Sequence, residues 1–144
     1  MAGERLAAEE LRFHPLTPER WADFEELFGE HGAYGGCWCM YWRITRAQFA
    51  ANGNEGNRLA MKAIVDSGRV PGILAYHRDR AVGWCSVAPR EEFGSLERSR
   101  KLKRVDDRAV WSIVCFFMAR DYRRRGLMGP LLEAAVEHAR ERGA

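Results

Sequence analysis

This 144-residue sequence is defined first by what is missing from it. Nowhere do about 18 apolar residues run together, so no membrane-spanning helix is written in it. The opening MAGERLAAEE has no apolar run of the secretory kind. There is no internal repeat, no low-complexity segment and no clear linker, which makes residues 1–144 a single domain. Gly-x-Gly-x-x-Gly and the P-loop pattern are both absent, which argues against a dinucleotide or nucleoside-triphosphate cradle of those kinds. Cysteine is limited to positions 37, 39, 85 and 115. Cys37-x-Cys39 has no second close pair to complete a zinc site, so no metal is expected and the thiols read as small buried side chains. Without an export signal they read as reduced, in a cytoplasmic protein.

What is present fits a globular α/β domain: 47% hydrophobic residues, 30% charged residues and a net charge of +3. Leu11 to His14 reads as a strand. Thr17 and Pro18 then open a helix carrying Trp21, Phe24, Leu27 and Phe28 at helical spacing. After an aperiodic aromatic segment, HGAYGGCWCMYWR, Thr45 and Gln48 have capping-box spacing and open a short helix. A polar loop from Asn52 to Asn57 precedes another helix, marked by Leu59, Ala60, Ala63 and Ile64 and stopped at Gly68. Ile73–Tyr76 and Val82–Val87 flank HRDR as an antiparallel hairpin. The charged stretch from Glu91 to Asp107 reads as partly helical surface. Ala109 to Ala119 has one polar side chain, Ser112, which suits a strand covered on both faces. Leu127, Leu131, Leu132, Ala135, Val136 and Ala139 form the stripe of a last helix, and Pro130 places its start near Gly126 and Leu127. The order implies a mixed sheet flanked by helices.

The most informative stretch is FFMARDYRRRGLMGP. A helix start carries unpaired amides and the positive end of a dipole. Gly126 lets an anion approach the backbone, and Arg123, Arg124 and Arg125 surround it with charge. Taken alone, such an arginine run is as readily a solvated loop. A buried strand, a cationic turn, a glycine and an amphipathic helix in succession point to a diphosphate cradle.

Those residues carry a resemblance. VWSIVCFFMARDYRRRGLMGPLLEAAVEHARERGA resembles the acetyl-coenzyme A binding core of the GCN5-related N-acetyltransferases (GNAT). The family's Gln/Arg-x-x-Gly-x-Gly/Ala loop falls on Arg123, Arg124, Arg125, Gly126, Leu127 and Met128. The resemblance implies the GNAT fold and an acetyl-CoA-dependent N-acetyltransferase, acting on an amine of a small molecule or peptide in a ternary complex. It also implies that the main chain of Phe116, Phe117 and Met118 pairs with the pantetheine arm, with an N–H near Phe117 polarising the thioester. The segment after the first helix walls the acceptor site in related enzymes, which makes Trp38 and Tyr41 candidate pocket residues, with Trp42 assigned to packing.

The sequence departs from the family pattern in three ways. Met128 replaces Gly or Ala. Ser112 lies where histone-type members carry a carboxylate base. The chain stops where a fifth strand is expected, so the expectation is a truncated domain, or a sheet completed by a second copy. An ammonium of pKa about 10.4 must be deprotonated before it attacks. Glu91, Glu92, Asp106, Asp107 and His77 are available, but none belongs to a recognisable constellation. Cys115 is a conceivable acyl carrier, without a nearby histidine. The rival readings are a non-catalytic acyl-CoA-binding or regulatory domain and, less favoured, a nucleic-acid module using the basic clusters Arg98 to Arg104 and Arg123 to Arg125.

Overall fold

Thr17, extended at φ −120° and ψ 168°, and Pro18 at the head of a 3-10 turn lead the chain into α1, Trp21–Phe28. The computed structural model describes residues 4–144. Before α1 lies β1, Leu11–Pro15. Trp21, Phe24 and Phe28 form the buried face of α1, and the helix stops at Gly29, whose φ of 70° releases the chain. The Thr45/Gln48 capping box forms in both directions, at 3.1 and 2.9 Å, and opens α2, Arg46–Asp66. The polar loop expected at 52–57 is instead a one-residue break. Gly53 alone is non-helical (φ 61°, ψ −167°), and helix resumes directly after it. Asn57 then packs inside, donating to the Gly36 carbonyl at 2.9 Å.

β2, Gly72–His77, and β3, Arg80–Pro89, form the expected hairpin, with Arg78 at φ 58° in its tight turn. The segment after β3 holds a 3-10 turn and the four-residue α3, Gly94–Glu97. β4, Trp111–Met118, and α4, Met128–Glu141, complete the chain. The sheet runs β1-β2-β3-β4, and every pairing is antiparallel rather than mixed. A parallel neighbour needs a helical crossover within the sheet, and each connection among these strands returns the chain antiparallel instead. Among the described residues no helix is long and apolar enough to cross a membrane.

The two faces of the sheet bury separate cores. Phe24, Phe28, Trp38, Met61, Val65 and Trp84 lie under α1 and α2, and Ile73, Val82, Leu127, Leu131 and Ala135 lie under α4. A fully buried ring such as Phe24 contributes about 2–3 kcal/mol to this packing. The stripe on α4 is narrower than expected. Leu127, Leu131, Ala135 and Ala139 are buried, whereas Leu132 and Val136 are 42% and 44% exposed. The row at spacing four faces the sheet, and its neighbours one residue on do not.

β4 also differs from expectation. It is the edge strand of the described sheet, and every residue from Trp111 to Met118 is half-buried rather than covered on both faces. Its register shifts once. Ser86 faces Cys115 and Val87 faces Ile113, so Val114 is an extra, unmatched residue, a β-bulge. Past the bulge, Cys115 and Phe117 pack on the α1–α2 side, and Phe116 and Met118 on the α4 side.

Candidate functional site

The turn between β4 and α4 is anchored at its base. Ala119 donates its N–H to the Val82 carbonyl at 2.8 Å. Asp121 receives both arms of Arg80, at 2.8 and 3.2 Å, and that guanidinium holds its carboxyl below the usual range. Buried Tyr122 shares a 2.6 Å hydrogen bond between its hydroxyl and His77 Nδ1.

The three arginines then diverge. Arg123 lies over the Phe117 ring at 5.9 Å and donates to the Met118 carbonyl at 3.3 Å. Arg124 is exposed, with a left-handed φ of 62°. Arg125 folds back to stack on Tyr122 and to donate to the Glu4 carbonyl at 2.8 Å, while its own carbonyl accepts from Leu6 N–H at 3.0 Å. Arg125 therefore ties the turn to the N-terminal segment. That segment also places the Arg5 guanidinium beside Gly126, where an added Cβ would stand 3.0 Å from it. Three cations, Arg123 to Arg125, were foreseen for the anion; the Arg125 side chain is engaged by the scaffold, and Arg5, 121 residues away in sequence, stands beside Gly126.

Gly126 has φ 80°, a conformation that costs other residues about 1–2 kcal/mol. Leu127, buried at 1%, returns to right-handed geometry as the N-cap of α4, without a side-chain cap. Among the described residues, the amides of Arg124, Arg125, Gly126 and Leu127 have no backbone acceptor. Left- and right-handed residues in succession turn such N–H groups into one concavity, the geometry that takes up an anion. Met128 is 46% exposed, so its side chain stands out from the helix start.

The aromatic segment after α1 divides its members between core and surface. Trp38 is a core residue, 2% exposed, stacked on Phe28 at 5.7 Å with its indole N–H given to Asn54 Oδ1 at 2.6 Å. Gly32 is what lets it in, because a side chain there would collide with the indole. Only the edge of Trp38 reaches a surface hollow, beside Glu25, Glu30 and Arg58. Tyr41 is 44% exposed, and with Trp42, Arg46, Ser95, Arg98 and Lys101 it lines a hollow of about 540 Å³. A neighbouring hollow of about 530 Å³ extends from Trp42 to Ser112, Ile113 and Val114 at the bulge of β4. The expected packing role of Trp42 holds in part, since it also walls both hollows.

The acid–base candidates stay apart. Glu92 pairs with Arg43 at 3.3 Å, Glu91 with Arg104 at 3.5 Å, Asp106 with the Arg108 backbone at 3.0 Å, and His77 with Tyr122. Within the basic stretch, Arg104 is also engaged by Glu97. No group of three or more metal-ligating side chains occurs among the described residues. Sequence reasoning missed a cluster around Cys39. Arg43, with 3% of its side chain exposed, follows it by four residues, and Trp84 and Cys115 share its core, with Ser86 opposite Cys115. The sequence signal was the run CWCMYWR, with one cationic side chain four residues beyond a cysteine.

A helix-covered antiparallel sheet whose edge strand runs through a turn with unshared amides into a helix defines an α/β protein. The acetyltransferase (GNAT) family model matches residues 19–144, and the chain belongs to that family. Its fold is similar to that of an aminoglycoside N-acetyltransferase, AAC(6')-Iy, solved in complex with CoA. That pair aligns with a TM-score of 0.58 at 11% identity, over 93% of this chain and 72% of the other. It is also similar to a GNAT-family acetyltransferase from Streptococcus agalactiae, with a TM-score of 0.57 at 14% identity, over 89% and 69%. No curated protein matches the sequence significantly.

Proposed function

We propose that this chain is an N-acetyltransferase that transfers the acetyl group of acetyl-CoA to an amine of a small molecule or peptide. The observation that carries the reading is the set of unshared amides from Arg124 to Leu127, at the mouth of α4 and flanked by Arg5, Arg123 and Arg124. The residues fit the group. The diphosphate of CoA gains those amides and the helix dipole, with Gly126 leaving room for its oxygens. Phe116 to Met118 lie on an edge strand whose outer main-chain groups face no strand of the described sheet, so they accept the pantetheine arm as an added strand.

The chemistry follows from placement. A neutral amine attacks the thioester carbonyl, the carbon–sulfur bond breaks, and CoA leaves as its thiol while the amine proton passes to solvent or a base. A backbone N–H near Phe117 stabilises the developing oxyanion, and holding both reactants together supplies most of the remaining rate. The hollow beside Tyr41 and Trp42 opens toward the bulge of β4 and is the acceptor side in this reading.

The test is thiol release from acetyl-CoA, followed with a thiol reagent against a panel of amines and amino-terminal peptides. Release that depends on both protein and amine supports the reading. Thermal stabilisation by CoA with no release across the panel would show a binding domain instead, and no response to CoA would remove the donor site altogether.

A further inference from the structure

Beneath the pairing of β3 with β4 lies a polar cluster that acyl transfer does not use. Cys39 is 4% exposed and left-handed at φ 61°, directly after Trp38 at φ 48°. Two consecutive non-glycine residues in that region are costly, and such strain persists only where the surroundings enforce it. Four buried atoms close by, Arg43 Nε and Nη2, Trp84 Nε1 and Ser86 Oγ, have no hydrogen-bond partner. Trp84 and Ser86 are fully buried. Leaving a buried polar atom unpaired costs about 1–3 kcal/mol each, so four in one place call for a common explanation.

Trp84 and Ser86 alternate onto one face of β3, Cys115 stands opposite Ser86 on β4, and Cys39 packs in the same core as Trp84 and Cys115. Arg43, four residues on from Cys39, brings a buried positive charge. A neutral thiol is a weak acceptor that leaves such donors short of a full bond, whereas a thiolate would satisfy them together. Cys115 arrives from β4. The bulge at Val114 sets it opposite Ser86 and against the same core as Cys39. It is half-buried on the edge strand, and its S–H has the Phe116 carbonyl at 3.8 Å as an alternative acceptor.

We propose that Cys39 and Cys115 form an oxidation site, in which a Cys39 thiolate held by Arg43, Trp84 and Ser86 reacts with a peroxide and closes a disulfide onto Cys115. The thiolate attacks one peroxide oxygen and the O–O bond breaks. The departing hydroxide takes a proton to become water, which leaves Cys39 as a sulfenic acid. Cys115 sulfur then attacks the Cys39 sulfur, the S–O bond breaks and a second water leaves with the Cys115 proton. The peroxide is the two-electron oxidant, and Cys115, half-buried on the edge strand, is the more exposed of the two sulfurs.

The four cysteines divide accordingly. Donation from Cys115, with Trp84, Ser86 and Arg43 in support, holds Cys39 below the usual thiol range. Its bond to Cys39 together with burial holds Cys115 above it. Burial raises Cys37 and pushes Cys85 up to about 12. Cys85, buried in the core on the α4 side of the sheet, is inert.

The experiment treats the reduced full-length chain with hydrogen peroxide, alkylates remaining thiols under denaturing conditions and digests with trypsin. Residues 21–43 form the peptide with Cys37 and Cys39, and residues 109–120 the peptide with Cys115. The expected product links these two, with Cys85 oxidised more than about tenfold more slowly. The link persists in Cys37→Ser and is lost in Cys39→Ser. In Cys115→Ser, oxidation stops at the sulfenic acid, and dimedone tags Cys39, located by fragment ions. Peroxide treatment that leaves all four thiols free overturns the proposal. So does a link that survives Cys39→Ser, or a dimedone tag on Cys37. Should Cys39→Ser fail to fold, fragmentation of the parent cross-link and the Cys115→Ser tag decide the matter unaided.

Discussion

Substitution of Gly126 separates geometry from charge at the proposed donor site. At φ 80° an alanine carries a strain of about 1–2 kcal/mol. Its Cβ also meets the Arg5 guanidinium at 3.0 Å, but that is the end of a flexible side chain and gives way. If the strain is relieved by leaving the binding conformation, Gly126→Ala weakens CoA by about 5- to 30-fold, since 1.4 kcal/mol is a factor of ten. Gly126→Glu carries the same strain and adds a carboxylate. At about 6 Å in water-like surroundings, two phosphate charges repel it by about 1.4 kcal/mol, a further factor of about ten. Isothermal titration with CoA measures both variants at two salt concentrations, and the gap between them narrows at the higher one. Gly143, at φ 97° with open space around it, supplies a control of equal strain far from the turn. Gly143→Glu binds CoA as the parent does. The reasoning fails if Gly126→Glu binds like Gly126→Ala, which would place the diphosphate elsewhere, or if both bind like the parent. Melting points a few degrees below the parent's confirm that each variant is folded.

Two further predictions concern stability. Arg43→Met removes a cation that pairs with Glu92 and lies 4.8 Å from the centre of the Phe93 ring, both in largely buried surroundings, and it lowers unfolding free energy by about 2–3 kcal/mol. Arg140→Ala breaks an exposed pair with Glu137 and changes it by less than about 0.5 kcal/mol; urea titration of both variants checks the contrast. The second concerns pH. Burial, helped by the Arg142 charge, holds the folded pKa of His138 below its ordinary 6.5, and burial with Arg20 and Arg12 does the same for His14. Below pH 6.5 the unfolded chain therefore binds protons that the folded chain refuses, and stability falls as pH drops from about 7 to 5. Glu10, Glu97 and Asp121, held low by arginine partners, add a further loss below about pH 4. His138→Leu flattens the upper part of this slope; an unchanged slope between pH 7 and 5 would show that His138 does not titrate differently on folding.

Local chemistry made much of the fold legible. Thr17 and Pro18, the Thr45/Gln48 box, the hairpin around Arg78 and the position of Pro130 each act over a few residues, and each element begins where those residues place it. What misled the reading was decided at a distance. The polar run 52–57 looks like a loop, yet Asn57 finds the Gly36 carbonyl and Asn52 finds Asn57, so only Gly53 breaks the helix. The apolar run 109–119 reads as doubly covered, but exposure depends on how many strands flank it, which composition does not encode. Leu132 and Val136 are apolar by sequence and exposed by one residue of rotation.

The same division runs through the candidate site and explains which residues sequence could find. The arginine turn was readable because strand, glycine and helix follow one another, so its amides are positioned by neighbours in the chain. The side-chain partner of Arg125, the Glu4 carbonyl, and the Leu6 N–H that its own carbonyl accepts come from the other end of the sequence, and Arg5 was invisible for the same reason. Trp38 packs in the core because a small residue six positions earlier, Gly32, makes room for its ring under the sheet. The cysteine cluster is the extreme case. Its two sulfurs lie 76 residues apart in sequence, and what aligns them is a single unmatched residue, Val114. Without that bulge Cys115 would keep the alternation of Trp111 and Ile113 and face α4. The bulge that shapes β4 is thus the feature that turns Cys115 toward the core holding Cys39, so a change at Val114 that restores regular pairing should disturb both the proposed CoA binding and the proposed oxidation site.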